Sequence, residues 1–310
     1  MKAVRIHRFG GPDEITVEEI SVPVPGPGEV LVRVLAAGVA PWDELIREGK
    51  SKVSPQPPLT LGSDQAGVIE AVGANVDVFN VGDEVYGVTN AQFCGAQAEY
   101  AVAQAGMIAS KPQKLNFLEA ASAPVIAVTA WQMLFEYAQV KRGQVVMILG
   151  AAGNVGAYAV QMAIDAGVSV VAVARSKDKQ LCVQLGAQMF IDSDTPGFER
   201  ELPAVDAILD MVSGSTLQQS IGALKAEGKL VSVVSTPPLP QRQGLMPIFF
   251  YAEVTTARLE TLNTLFESGR ITARVGSILP LENARMAHSM LAGAPHKPGK
   301  IMLQVNPASN

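Results

Sequence analysis

The chain has 310 residues, 48% of them apolar, with a formal net charge of −5 and no block of basic residues. This length supports two apolar cores, and the charge pattern excludes a nucleic-acid interface, which needs clustered Lys and Arg against phosphate. Only two cysteines occur, Cys94 and Cys182, and the N-terminal MKAVRIHRFGG lacks a signal peptide's apolar segment, so a cytoplasmic protein without a disulfide framework is expected.

In chain order, KAVRI, EVLVRVLAAGV, AGVIEAVG, DEVYGV and AEYAVA read as short strands. The turn-forming stretches PVPGPGE, GANVD and VGDE separate them, which makes the first 117 residues a small β domain. From Leu118 the pattern changes. LEAASAPVIAVTAWQMLFEYAQV has helical length, with Pro124 as its break or start. Strand and helix then alternate: QVVMILG, NVGAYAVQMAIDAG, VSVVAVA, SKDKQLCVQLGA, MFID, AVDAILDMV, STLQQSIGALKAEG and KLVSVVS. Near-continuous apolar strands between helices predict an α/β domain over 118–269, a doubly wound parallel sheet covered on both faces. ARLETLNTLFESG is a further helix inside it, and the closing strand GKIMLQV is expected to return to the β domain, completing it with 270–310.

The uncharged run Gly143–Ile164 has the length of a membrane span, but four glycines, two glutamines and an asparagine interrupt it. Within it lies ILGAAGNVGAYAVQMA, with Gly150, Gly153 and Gly156 spaced by three. Glycines there could serve only to pack a helix on a strand. Their place after an apolar strand and before a helix favours a dinucleotide. Backbone N–H groups of Gly153, Asn154 and Val155 then meet the pyrophosphate at the helix N-terminus, while Gly150 and Gly156 shape the turn. An NAD-selective site places an acid about 20 residues on. Here VSVVAVA ends in Arg175, Ser176 and Lys177, with Lys179 beyond. Cations and a hydroxyl favour a 2′-phosphate, hence NADPH; the competing reading is a solvated charge run that includes Asp178.

Together the pieces MKAVRIHRFGGPD, PGPGEVLVRVLAAGVAPWD, LGSDQAGVIEAVG, VGDEVYG, TAWQML, ILGAAGNVG, DAILDMVSG, GKLVSVVS and GKIMLQV resemble the zinc-independent, zeta-crystallin-like quinone oxidoreductases of the medium-chain dehydrogenase/reductase superfamily. The resemblance spans the whole chain. It implies an N-terminal GroES-like domain, a Rossmann domain, and NADPH in the cleft between them. It implies hydride transfer to a quinone or α,β-unsaturated carbonyl, and a homodimer paired through the last Rossmann strands. Three departures stand out: Asn154 where the group often has a second glycine, Ala40 where it often has Asn, and Ser193 where a Tyr often touches the 2′-phosphate.

The superfamily's zinc positions fall on Ala40, Ser63 and Asp64, and the four-Cys lobe is missing, so no metal is expected. Without a Lewis acid, a conjugated acceptor is easier to reduce than a simple alcohol is to oxidise. The resemblance also places Thr129 near the nicotinamide, where a helix-interior Thr bonded to the preceding turn is the plain alternative. Asp43 is a catalytic candidate or a helix cap. Tyr86 is a candidate donor to the developing oxyanion. Ala40, Trp42, Phe249 and Phe250 are candidates to line the substrate pocket, though aromatics are more often core. Val233, Ser235 and Lys300 complete the expected cofactor set, Lys300 at a phosphate or at the surface. Two alternatives stay open: an enoyl-thioester reductase of the same superfamily, and a cofactor-binding protein with little turnover.

Overall fold

The alternation of the first hundred residues produces the strands it predicts. The structure, a computed structural model, describes residues 1–235 and 247–306. By Cα packing the chain forms two units, one of residues 1–125, 254–269 and 273–310, the other of residues 126–253 and 270–272.

In the first unit the long strand Glu29–Val39 is the organising element. It pairs antiparallel with Asp64–Val72, with Tyr100–Gln104 and with the returning strand Lys300–Gln304. The last pairing sets Ile301 against Val39 and Leu303 against Ala37, so Lys300 arrives at the end of the strand that leads into Ala40. Inward-facing Val30, Val32, Val34, Ile69, Val85 and Ile108 form one core. A second core gathers Val4, Ile6, Ile46, Leu61, Leu281 and Ile301. A strand Val275–Pro280 and a helix Ala284–Leu291, for which the sequence reading named no element, extend this unit.

The helix Thr256–Glu267, expected with the parallel sheet, belongs to the first unit by packing. Hydrogen bonds explain this. Thr256 Oγ1 donates to the carbonyls of Ala105 and Ile108, and Asn263 Nδ2 donates to Ser110 O.

The second unit is a parallel sheet of six strands in the order Met189–Asp192, Ser169–Ala174, Val145–Leu149, Val205–Asp210, Leu224–Ser232, Ile248–Phe249. The order reverses beside Val145–Leu149, and such a switch point is where doubly wound sheets bind ligands, at the carboxyl ends of their strands. Val146 to Leu149 are fully buried, as a strand covered on both faces must be. One expected helix is shorter than its sequence. STLQQSIGALKAEG is helical only over Gly214–Ser220 and a following turn, and Leu224 already begins a strand by pairing with Val205. Sheet pairing overrides the helical propensity of LKAEG there. Among the described residues no helix is long and apolar enough to cross a membrane.

Candidate functional site

At the switch point the strand Val145–Leu149 runs into Gly150, which takes φ +83°. A left-handed backbone of that kind suits glycine. The turn closes through Gly153 N–H to Gly150 O at 2.9 Å. Gly153 then caps the twelve-residue helix Asn154–Asp165 with no side chain bonded to the helix end. A Cβ at Gly156 would lie 2.2 Å from Gly150 O and 2.8 Å from Ala151 Cα. The first helical turn can sit this tightly on the loop only with glycine there. The backbone thus offers a helix N-terminus free of side-chain caps, which fits a pyrophosphate. Gly156→Ala must push the loop outward, and NADPH affinity measured by fluorescence titration is expected to fall roughly tenfold, about 1.4 kcal/mol.

Arg175 and Ser176 follow the next strand, Ser169–Ala174. The Arg175 guanidinium is exposed and 3.8 Å from Asp178. Ser176, Lys177, Lys179 and Gln180 line an open surface groove of about 560 Å³. The Ser176 hydroxyl donates to Asp192 Oδ2, and Ser193 N–H donates to Ala174 O. On the other side of the switch point, Val233 N–H donates to Asp210 O, and the Ser235 and Ser213 hydroxyls are 3.5 Å apart. Asp210, not singled out in the sequence, holds this corner. Its buried carboxylate accepts from Val212 N, Ser213 N and Ser232 Oγ. The signal was present in an acid ending an apolar strand, DAILDMV. Thr129 is buried on the helix Pro124–Trp131. Phe250 is buried in ring contact with Tyr137 at 4.2 Å, and Phe249 stands edge-on to Tyr251 at 5.1 Å. Phe250 is therefore a core side chain rather than a pocket wall.

The first unit holds a buried polar cluster. Lys300, expected at a phosphate or the surface, is 1% exposed, with its ammonium 2.6 Å from Asp64 Oδ2. The same ammonium lies 4.2 Å above the Trp42 ring, and the Trp42 indole N–H donates to Ser63 Oγ at 3.0 Å. Asp64 Oδ1 accepts from Val125 N. Ala40 is the N-cap of the helix Pro41–Arg47, and its N–H donates to Asp43 Oδ2 at 2.9 Å, so Asp43 does cap the helix. The other carboxylate oxygen, Asp43 Oδ1, is buried with no hydrogen-bond partner. Burial pushes the Asp43 carboxyl up to about 8, with Asp64 adding to the rise and Lys300 and Arg47 opposing it.

Behind Asp43 runs a second network that sequence reasoning missed. The fully buried Arg47 donates from Nη1 to His288 Nδ1 at 3.1 Å. Burial first, and the Arg47 charge second, hold His288 down to about 3, so the ring is neutral. Arginine only donates, which puts the ring proton on Nε2, facing Gln97 Oε1 at 3.1 Å. Gln97 Nε2 in turn donates to Gly38 O. Neither the histidine nor the arginine had a local sequence signal, because their partners are 191 and 241 residues away.

Tyr86 is placed differently from the expectation of an oxyanion donor. It is fully buried, and its single hydroxyl proton is shared between Asn263 Oδ1 at 2.7 Å and Leu259 O at 3.1 Å. Tyr86→Phe is expected to lower stability by about 1–2 kcal/mol through the orphaned acceptors. Turnover measured at the same temperature should be unchanged. Cys182 is buried, and burial raises the half-buried Cys94 thiol above its usual range.

Zinc does not fit these residues. Ala40 brings no donor atom, the Ser63 hydroxyl receives the Trp42 N–H, and Asp64 is held by an ammonium. Among the described residues no group of three His, Cys, Asp or Glu side chains could hold a metal ion.

Residues 26–113 match the family model for the alcohol dehydrogenase GroES-like domain, and residues 185–303 match that for a zinc-binding dehydrogenase. The chain is 30% identical to the quinone oxidoreductase of Sus scrofa over 98% of this chain and 97% of the relative. It is 32% identical to the 2-methylene-furan-3-one reductase of Solanum lycopersicum over 87% of this chain and 70% of the relative. A mycobacterial protein solved in complex with NADPH superposes with a TM-score of 0.86 at 29% identity, over 98% of this chain and 100% of that one.

Proposed function

The chain belongs to the quinone oxidoreductase family of the medium-chain dehydrogenase/reductase superfamily, and from that membership we propose that it is an NADPH-dependent reductase of quinones or α,β-unsaturated carbonyls. The observation that carries this reading is the glycine loop, with its uncapped helix N-terminus at the switch point of the parallel sheet. Gly150, Gly153, Asn154, Val155 and Gly156 would hold the pyrophosphate, and Arg175, Ser176 and Lys179 the adenosine ribose phosphate. Val233, Ser235 and Thr129 would complete the cofactor contacts. Bound NADPH supplies the hydride from its nicotinamide ring.

The chain's own part is to bind, orient and manage charge. A conjugated acceptor delocalises the arriving electron pair onto its oxygen, so no Lewis acid is required. Trp42 offers a flat face beside Ala40, and Asp43 keeps a proton at Oδ1 at neutral pH. In relatives whose names specify an acceptor, it is a quinone or an enone. The reading includes a cytoplasmic homodimer, paired through the open sheet edge at Ile248–Phe249.

Oxidation of NADPH followed at 340 nm with 1,4-benzoquinone, 9,10-phenanthrenequinone, a short enone and a crotonyl thioester tests the proposal. Quinone or enone turnover with a lower Michaelis constant for NADPH than for NADH is expected. Thioester turnover alone would replace the substrate class. Tight NADPH binding with no turnover on any acceptor would make the protein a cofactor binder.

A further inference from the structure

We propose that Asp192 determines how far this chain distinguishes NADPH from NADH, by claiming the Ser176 hydroxyl proton and setting a carboxylate where the adenosine 2′-phosphate would lie. The proposal rests on the cofactor reading above and adds to it a residue on a different strand from the expected one.

The strands Ser169–Ala174 and Met189–Asp192 are parallel neighbours in a register that sets Ala174 beside Asp192. Their carboxyl ends therefore open at the same level, and the segments beyond them meet. There the Asp192 carboxylate accepts from the Ser176 hydroxyl at Oδ2, from Thr195 Oγ1 at 3.2 Å, and from Asp194 N at 3.0 Å on Oδ1. The neighbouring Asp194 carboxylate accepts from Ser176 N at 3.3 Å. The Ser176 hydrogen bond, followed by the Asp194 amide, holds the Asp192 carboxyl below the usual carboxylate range, so it is anionic at neutral pH.

A 2′-phosphate needs donors and positive charge. Of the expected set, Ser176 offers two donors, its hydroxyl and its N–H, and both already serve carboxylates. Arg175, Lys177 and Lys179 are matched by Asp178, Asp192 and Asp194, three cations to three carboxylates. A ribose 2′-hydroxyl can donate to a carboxylate, which is how an NAD-selective acid works. The strand end expected to carry such an acid has Ala174 and Arg175 instead. Asp192 supplies the charge from the adjacent strand. The result is a site that admits NADPH through Arg175 and Lys179 yet penalises its phosphate, so the preference for NADPH is narrow.

The test compares two probes by titration calorimetry: 2′,5′-ADP, which carries the phosphate, and 5′-ADP, which lacks it. Asp192→Asn keeps an acceptor for Ser176 and for the Asp194 amide while removing the charge. It is expected to tighten 2′,5′-ADP roughly fivefold to tenfold at low salt, with 5′-ADP within about twofold of wild type. In wild type, Ser176→Ala should leave 2′,5′-ADP affinity nearly unchanged. In the Asp192→Asn background it should weaken that affinity, because the hydroxyl is then released to the phosphate. An unchanged ratio of the two affinities in Asp192→Asn, with both probes binding wild type, overturns the assignment alone. Failure of both probes to bind wild type overturns the cofactor reading and the assignment with it.

Discussion

Lys300→Met is expected to destabilise the protein by about 3–5 kcal/mol, the usual consequence of removing one partner of a buried ion pair. The reason is what remains. Asp64 is 1% exposed, and its Oδ2 would lose the ammonium now 2.6 Å away. Val125 N would be its one remaining donor. The contact of the ammonium with the Trp42 ring would vanish too. The backbone is fitted around this pair. A Cβ on Gly38 would come 2.8 Å from Lys300 Cε and 3.0 Å from Asp64 Cβ, so the strand has no side chain where the lysine stem passes. Thermal unfolding of Lys300→Met should show a midpoint lower by roughly 10 °C. Asp64→Asn should lose a comparable amount, by stranding the ammonium. The double change Lys300→Met with Asp64→Leu should recover most of the loss, since apolar replacement of a whole buried pair is often neutral. A loss below about 1 kcal/mol in Lys300→Met would mean that water reaches the pair and screens it.

The cluster around Lys300 marks the boundary of what sequence reasoning reaches. The glycine loop was legible because all its parts are local: an apolar strand, three glycines at a spacing of three, and a helix within twenty residues. Their geometry follows from steric rules that act between near neighbours. The return of GKIMLQV to the β domain was legible from the missing helix after it. The burial of its lysine was not. Lysine is almost never fully buried unless paired, and the pairing partner is 236 residues away. It becomes visible only when Ile301 pairs with Val39. The same limit hid Arg47, His288 and Gln97, whose contacts join three separate segments of the chain. Tyr86 illustrates the opposite error. A tyrosine with a free hydroxyl and one with a committed proton are identical in sequence, and only the helix Thr256–Glu267, through Asn263, decides between them.

Asp43→Asn is expected to change the shape of the stability–pH profile, and the sign follows from two buried groups with opposite shifts. Asp43 has its folded pKa raised to about 8, so the folded protein binds its proton more tightly than the unfolded chain does. Its contribution is fully present below the unfolded carboxyl pKa and is lost as pH rises through about 8. His288 has its folded pKa depressed to about 3, so the unfolded chain binds the proton more tightly. Its contribution is present above the unfolded imidazole pKa near 6.5 and is lost as pH falls toward about 3. Between about pH 4 and 6.5 the two slopes oppose each other and nearly cancel. Between about pH 6.5 and 8 only the Asp43 slope remains, and these two groups together cost the wild type about 2 kcal/mol across that window. The Asn side chain has the shape of the protonated acid and keeps an oxygen for Ala40 N. Asp43→Asn should therefore be flat between about pH 6.5 and 8 in denaturant unfolding. Below about pH 6.5, with the compensation removed, it should lose stability faster than wild type as His288 takes up its proton in the unfolded chain. Parallel profiles for the two proteins would place the Asp43 carboxyl in contact with water and ionised throughout.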